Sequence, residues 1–186
     1  PGPIKPGIVP SSLFYDERTA LSHMVYYGRL KCLSKKESLE QSRVLLDQVG
    51  LGNEMFKKVG YFSHGMKTRL GIAQALLNNP EVLILDEPTN GLDPVGIRQI
   101  RQILRECNNN GITIFLSSHN LLEIQEICTY VGILDKGKLI AESTILKIRH
   151  LESNGVITVG VYNLSSEMVS LIESLKFVVK TELKAE

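Results

Sequence analysis

The chain has 186 residues, 43% of them hydrophobic and 22% charged, with a formal net charge of +1. This composition is typical of a folded globular protein and excludes intrinsic disorder as the default state. The charge is balanced and forms no lysine- or arginine-rich stripe, so no nucleic-acid partner is expected. The longest purely aliphatic run, residues 82–85, is far too short to span a membrane.

The N-terminal residues and the cysteines bear on the compartment of the protein. Four prolines among the first ten residues would break an apolar targeting helix, so no signal segment is expected there. The three cysteines are Cys32, Cys107 and Cys128. Because they are odd in number, widely separated and without metal-site spacing, they are typical of reduced thiols in a cytosolic protein.

A helical region is predicted over residues 19–78. Ser34 and Glu37 have the spacing of a capping box, in which the serine caps amides ahead of it and the glutamate reaches back to the serine N–H. Gly50 is suited to the left-handed residue that ends a helix. A further helix is predicted over residues 65–78, where leucine and alanine recur on one side.

Strands and helices alternate after this region, which predicts an α/β sheet with right-handed crossovers. The aliphatic runs at 82–85 and 112–116 are the form of strands buried on both faces. Residues 135–138 predict a hairpin turn. The predicted strands cover residues 7–10, 82–85, 112–116 and 131–134, and the predicted helices follow at about 97–107 and 121–130. A strand, a helix over 165–176 and a last strand are predicted after residue 155.

Two adjacent carboxylates, Asp86 and Glu87, follow the first aliphatic strand. The carboxyl edge of a parallel strand faces the crevice where α/β proteins bind ligands. Hydrolysis of a phosphoanhydride needs an oxygen ligand for a hard cation and a group that orients the attacking water. Asp86 is suited to hold Mg²⁺ and Glu87 to orient water. The alternative is a charged strand end that enters a solvated loop.

The neighbouring segments favour the catalytic interpretation. Residues 62–67 (Phe-Ser-His-Gly-Met-Lys) precede the strand at a helix start, residues 90–94 (Asn-Gly-Leu-Asp-Pro) follow it, and Ser118-His119 ends the next strand. In order and spacing, these motifs resemble the signature loop, Walker B motif, D-loop and switch histidine of the ATP-binding cassette (ABC) ATPase family. The resemblance covers about residues 8–142. The motifs are most similar to those of exporters that protect against bacitracin- and lantibiotic-type peptides.

The resemblance implies a nucleotide-binding role for the signature segment. Ser63 and Gly65 match the positions that contact the γ-phosphate of ATP held by the opposite subunit. A hydroxyl and free amides at a helix N-terminus are suited to bind such an anion. His64 and Met66 stand where the usual signature has glycine and glutamine. The methionine fits the exporter subgroup, whereas the histidine has no counterpart there.

The resemblance also implies roles for residues after the signature. Glu87 and His119 match the catalytic glutamate and the switch histidine, Asp86 the Mg²⁺ ligand, and Asp93 the D-loop aspartate that communicates across a dimer. By itself, His119 is more typical of a hydrogen-bonded helix-cap residue than of a catalytic one. Asp93 could likewise serve as the N-cap of a helix that begins at Pro94.

Two family elements do not match. Ser11 stands at the Q-loop position, where the family has a glutamine that senses Mg²⁺ and the transmembrane partner. A phosphate-binding Walker A loop, Gly-x-x-x-x-Gly-Lys-Ser/Thr, is also expected to be missing. Residues 132–139 approach this pattern, but Leu139 has no hydroxyl for Mg²⁺ and the segment is predicted as strand–turn–strand. This near match is therefore a false one.

The combined prediction is an α/β, P-loop NTPase-like ABC ATPase core without its N-terminal part. It is expected to have a helical signature subdomain (12–78), the catalytic half of the core (79–150) and a small α+β appendage (151–186). The resemblance implies an ATP-binding and ATP-hydrolysing exporter subunit that uses ATP and Mg²⁺. Its implied partners are a second ATPase subunit and a membrane permease, which would hold it on the cytoplasmic face of the membrane. The chain by itself is expected to be inactive.

Three alternatives remain open. The chain could be a degenerate, non-hydrolytic ABC subunit that lends its signature loop to a competent partner. It could be an ABC ATPase of the DNA-repair or chromosome-structure type, although residues 34–78 contain no sustained heptads. It could also be a binding module made from the helical region.

Overall fold

A computed structural model of the chain describes residues 6–8 and 14–147. The contacts divide the chain into two units, Pro1–Glu142 and Ser143–Glu186, and only residues 143–147 of the second unit are described. The tail elements predicted after residue 155, and Ser11 at the Q-loop position, lie outside the described residues. The three-part division of the chain proposed from the sequence stays a prediction.

The first unit contains helices and two small sheets. The helices are α1 (Ala20–Leu30), α2 (Lys35–Gln48), α3 (His64–Leu76), α4 (Pro94–Asn109) and α5 (Leu121–Ile127), with 3₁₀ turns at Gly52–Glu54 and Val59–Tyr61. The strands are β1 (Pro6–Ile8), β2 (Val82–Asp86), β3 (Thr113–Ser117), β4 (Tyr130–Asp135) and β5 (Lys138–Thr144), the last of which continues into the second unit. Along the described part of the chain, no helix has the length and hydrophobicity that crossing a membrane requires.

The ends of α2 confirm the signals in the sequence. The Ser34 Oγ accepts a hydrogen bond from the Glu37 amide at 3.2 Å, and the Glu37 carboxylate accepts one from the Ser34 amide at 2.8 Å. This is the predicted capping box. Gly50, just after the helix, has φ +69° and so has the predicted left-handed conformation.

The first three helices enclose the main helical core, and Lys31 connects two of them. Its Nζ donates to the carbonyl oxygens of Gln74, Ala75 and Leu77 at 3.2, 2.8 and 3.1 Å. A cation at a helix C-terminus satisfies carbonyl groups that have no partner within the helix. Burial lowers the pKa of Lys31. The largest fully buried side chains include Met24, Leu46, Leu51, Leu70 and Ile72.

The main sheet has the order β1-β2-β3 with parallel pairing throughout. The prediction that its strands are buried on both faces is wrong. Leu83 and Leu85 are 0% and 2% exposed, but Ile84 is 38% exposed and Phe115 is 67% exposed. Successive side chains of a strand point to opposite faces. The described residues therefore bury one side of the sheet and leave the other open.

The hairpin β4-β5 forms a separate two-stranded sheet. Lys136 and Gly137, between the strands, both have positive φ, as a type I′ turn requires. The strand predicted at 131–134 thus pairs with β5 and has no place in the three-stranded sheet among the described residues. Residues 132–139 are strand, turn and strand, so the resemblance to a Walker A loop is false, as predicted. The helix predicted over 121–130 ends early, at Ile127, because Tyr130 already begins β4.

Helix α1 crosses α2 closely at Gly28, and this contact generates a stability prediction. A Cβ at Gly28 would lie 2.1 Å from the Ser38 Oγ and 3.0 Å from the Ser38 Cβ. The Ser38 Oγ also donates to the Val25 carbonyl at 2.8 Å, which limits how far it can move. Alanine normally stabilises a helix interior by about 1 kcal/mol relative to glycine. We expect Gly28→Ala to lower the free energy of unfolding instead, by about 1–3 kcal/mol, because overpacking outweighs that gain.

Urea denaturation measures this effect. The matched control is Ser22→Ala, an exposed position of the same helix, which should change the free energy of unfolding by less than about 0.5 kcal/mol. A Gly28→Ala protein as stable as the original would show that the two helices do not meet closely at this point.

Candidate nucleotide-binding and catalytic site

The ends of β2 and β3 bring Asp86 and Ser117 together. The two residues are partners in the parallel register. The Ser117 Oγ donates to the Asp86 Oδ1 at 2.5 Å and accepts from the Glu87 amide at 3.1 Å. By strand alternation, Asp86 and Ser117 lie on the open side of the sheet with Ile84 and Phe115. Ser117 was not identified from the sequence. The only signal for it was its position at the end of a predicted strand.

This arrangement is compatible with a hard cation. Asp86 is exposed and offers a carboxylate, and the Ser117 hydroxyl fixes one of its oxygens. Mg²⁺ is usually bound through one or two carboxylates together with phosphate oxygens and water. The described residues contain no group of three or more His, Cys, Asp or Glu side chains that could hold a metal ion without such help. Asp86 therefore fits a cation that arrives with a phosphate ligand.

Glu87 has an unusual backbone conformation. Its φ is +46°, in the left-handed region that side chains other than glycine rarely adopt. Such a conformation costs about 1–3 kcal/mol and persists only when the surrounding structure holds it. A tight turn follows, in which the Asn90 amide donates to the Glu87 carbonyl at 3.1 Å. The turn brings the Glu87 carboxylate toward the loop after β3.

His119 meets Glu87, so the two residues predicted as catalytic lie together. The His119 Nδ1 is 2.9 Å from the Glu87 Oε1, and the histidine side chain is 76% exposed. The hydrogen bond and the negative charge of Glu87 raise the pKa of His119, and the charge of Glu123 adds to this effect. A carboxylate that orients a histidine can fix which ring nitrogen carries the proton.

A buried glutamate is hydrogen-bonded to residues that are close in sequence to Glu87 and His119. Glu123, in the first turn of α5, is 7% exposed and accepts hydrogen bonds from the Thr89 Oγ1 and from the Asn120 Nδ2, the latter at 3.2 Å. Thr89 is itself 4% exposed. Asn120 also caps α5, because its Oδ1 accepts from the Leu122 amide at 3.1 Å. Neither Thr89 nor Glu123 was identified from the sequence, since an ordinary threonine and glutamate carry no signal of burial.

The signature segment forms the N-terminus of α3. The Ser63 Oγ accepts from the Met66 amide at 3.3 Å, as an N-cap does. The His64 Nε2 donates to the Asn90 carbonyl at 3.0 Å. Gly91, next in the chain, has φ +70°, and a Cβ there would lie 3.6 Å from the His64 ring. The histidine that had no explanation in the sequence thus connects the signature segment to the turn after Glu87.

A cavity of about 350 Å³ lies between the signature and the D-loop segments. Its lining includes Ser63, Gly65, Met66, Leu92, Asp93 and Gly96. Asp93 is the N-cap of α4, because its Oδ1 accepts from the Gly96 amide at 2.8 Å and Pro94 follows at the first helical position. The two helices α3 and α4 therefore begin at the same cavity, and helix N-termini favour anions. The dimer-communication role of Asp93 stays a prediction.

The pairing of His119 with Glu87 predicts a pH effect. We expect the pKa of His119 to lie above its ordinary value of 6.5 and to fall in Glu87→Gln, because the negative charge is removed and the amide oxygen that remains is a weaker acceptor. A histidine whose pKa is higher in the folded than in the unfolded protein stabilises the fold, and this stabilisation is fully present at pH values below the pKa of the unfolded state. This stabilisation is lost as the pH rises through the folded pKa. An NMR titration of the imidazole signals measures the shift.

The control for this titration is Glu126→Gln, which removes an exposed carboxylate from α5 outside the Glu87–His119 pair. It should leave the pKa of His119 close to that of the original protein. An equal pKa in the original protein and in Glu87→Gln would contradict the pairing.

Comparison with known proteins shows similarity over much of the chain. A family model described as "AAA domain, putative AbiEii toxin, Type IV TA system" matches residues 34–125. The chain is 47% identical over 130 residues to the bacitracin transport ATP-binding protein BcrA of Bacillus licheniformis, covering 69% of this chain and 42% of that protein. It is 42% identical over 129 residues to the lantibiotic transport ATP-binding protein SrtF of Streptococcus pyogenes, covering 68% of this chain and 56% of that protein.

The solved structures agree with the sequence relatives. A dimer of an ATP-binding cassette in a post-hydrolysis state, bound to ADP and Pi, matches with a TM-score of 0.67 at 25% identity, over 76% of this chain and 63% of that chain. The chain spans about half the length of the curated relatives it matches. The ordered motifs and these similarities lead to one conclusion. The chain belongs to the ABC ATPase family.

Proposed function

We propose that the chain supplies the signature subdomain and the catalytic half of the ATP-hydrolysing subunit of an ABC exporter. The observation that supports this most is the 2.9 Å pair of Glu87 and His119 beside the Asp86–Ser117 contact. A water-orienting carboxylate and a cation ligand at neighbouring strand ends are the groups that phosphoanhydride hydrolysis requires.

Each residue of this cluster has one proposed task. Asp86 would hold Mg²⁺ together with phosphate and water oxygens, and the bound cation would neutralise charge on the phosphates. The Glu87 carboxylate would orient the attacking water. His119, held by Glu87 at Nδ1, would use its other ring nitrogen toward the γ-phosphate. Ser117 would keep the Asp86 carboxylate in place.

The signature cavity is proposed to act on a nucleotide held by a second subunit. Ser63 and Gly65 lie at the N-terminus of α3, beside the N-terminus of α4, where amides favour an anion. Met66 and His64 lie at the same helix start, and His64 is engaged with the Asn90 carbonyl. The dimeric cassette among the similar structures supports a partner of the same kind. We propose a homodimer in which each signature segment completes the site of the other subunit.

The relatives named above support the exporter assignment, because they are transport ATP-binding proteins for bacitracin and lantibiotics. We propose that this chain acts in a transporter of the same type, coupled to a membrane permease on the cytoplasmic face. Hydrolysis is proposed for the complete cassette, in which a Walker A loop holds ATP. The chain by itself is proposed to bind ATP weakly.

A degenerate subunit is the second candidate, and one observation favours it. The segment closest in sequence to a Walker A loop, residues 132–139, lies in the β4-β5 hairpin, where no helix N-terminus faces a phosphate. A subunit without that loop could still lend Ser63 and Gly65 to a competent partner. The two candidates differ in whether Glu87 of this protein affects turnover.

Replacement of the catalytic glutamate tests the proposed hydrolysis. In the gene product that contains this chain, Glu87→Gln should reduce ATP turnover by about 10²-fold or more while Mg-ATP binding is kept, because Asp86 remains as the cation ligand. Phosphate release and calorimetric titration measure the two quantities. Glu126→Gln is the control and should keep both. Unchanged turnover in Glu87→Gln would favour the degenerate subunit.

Mixing two variants tests the exchange between subunits. Ser63→Arg blocks the signature segment and Glu87→Gln blocks the catalytic carboxylate, so neither homodimer should hydrolyse ATP. A mixed dimer keeps one intact site if Ser63 acts on the opposite subunit, and the mixture should regain activity that neither variant has. If Ser63 acted within its own subunit, both sites of the mixed dimer would be blocked and no activity would return.

A further inference from the structure

Glu123 connects the two turns that present Glu87 and His119. Its Oε2 accepts from Thr89, two residues after Glu87, and its Oε1 accepts from Asn120, the residue after His119. Glu123 is 7% exposed and Thr89 is 4% exposed, so the hydrogen bond to Thr89 is buried, whereas Asn120 is an exposed residue and its hydrogen bond is only partly buried. A buried carboxylate is unfavourable unless donors satisfy it, and here both oxygens have one.

Apart from this connection, the Glu87 backbone is bonded to the Ser117 hydroxyl and the Asn90 amide, and His119 is bonded to the Glu87 carboxylate. Glu87 holds a left-handed φ of +46°, which its own backbone does not favour. His119 is 76% exposed, so packing does not fix its ring. The buried hydrogen bond between Glu123 and Thr89 can hold the turn after Glu87 in place, because hydrogen bonds away from water are stronger and costly to break. Through Asn120, the same carboxylate also contacts the residue after His119.

We propose that Glu123 is a positioning residue for hydrolysis, which holds the turn of Glu87 against the turn of His119 through Thr89 and Asn120. The consequence for the reaction rests on the proposed function, whereas the positioning itself can be measured without nucleotide. A residue that only stabilised α5 would lower the stability of the protein without changing the contact between His119 and Glu87.

Thr89 offers the cleanest variants, because its replacement leaves every charge in place. Thr89→Val removes the donor hydroxyl at almost constant volume, and Thr89→Ser keeps the hydroxyl and loses a methyl group. Glu126→Gln is the control on α5, since Glu126 is exposed and lies 3.7 Å from Arg105 in a surface ion pair. Glu87→Gln gives the reference in which the negative charge beside His119 is removed.

An NMR titration of the full chain measures the pKa of His119, and so its contact with residue 87, in all these variants. The pKa of His119 should fall in Thr89→Val by roughly half or more of the difference between the original protein and Glu87→Gln, because the carboxylate no longer stays beside the ring. Thr89→Ser and Glu126→Gln should retain the original pKa. The nitrogen chemical shifts of the neutral ring should show the proton moving away from Nδ1 in Thr89→Val, and not in Thr89→Ser or Glu126→Gln.

Each outcome decides the proposal. An unchanged pKa and tautomer in Thr89→Val would overturn it, and so would an equal change in Thr89→Ser, which would assign the effect to lost packing. Should Thr89→Val not fold, Glu123→Gln takes its place and is judged on the tautomer alone, because it removes a charge that itself raises the pKa of His119. An unchanged tautomer there would equally overturn the proposal. These titrations are made without ATP. Failure of the proposed hydrolysis would therefore appear in the turnover of Glu87→Gln and would not change the titration of His119.

Discussion

The parallel pairing of β2 with β3 is the constraint on which the candidate site depends. Because the strands run in the same direction, their carboxyl ends meet at one edge, and the register places Asp86 opposite Ser117. The residues that follow each strand are then forced together, which is how Glu87 reaches His119 across 32 positions of sequence. A register shift of one residue would turn Asp86 to the covered side of the sheet. The geometry of the candidate site therefore follows from the sheet and requires no separate folding unit.

The site combines the unfavourable backbone conformation of Glu87 with the buried hydrogen bond between Thr89 and Glu123. Glu87 is strained and partly exposed, as a group that must meet a ligand often is. Thr89 and Glu123 are almost fully buried and satisfied by hydrogen bonds. Buried, fully bonded polar groups specify one arrangement more strongly than exposed ones do. The exposed pair can thus remain free for chemistry while the buried pair maintains its position.

The sequence predicted those features that depend on local chemistry. The capping box at Ser34, the helix around α3 and the turn between β4 and β5 were predictable because each depends on residues close in the chain. The catalytic pair was predictable only because ordered motifs resemble a family. The exposure of Phe115 was not predictable, since an aliphatic run indicates apolar surface but not which element covers it. Glu123 was missed because its burial arises from contact with a distant turn, which no local pattern reveals.

His64 shows how a departure from a family motif can acquire a physical reason. Glycine at this position would leave the start of α3 without a side-chain link to the turn that contains Asn90. The histidine supplies that link through Nε2, and its ring lies beside Gly91. An anion at a helix N-terminus is bound mainly by backbone amides, for which the side chain at this position is incidental. The signature segment can therefore accommodate a bulky residue at this position, because the ring has a hydrogen-bond partner in the turn before the D-loop aspartate.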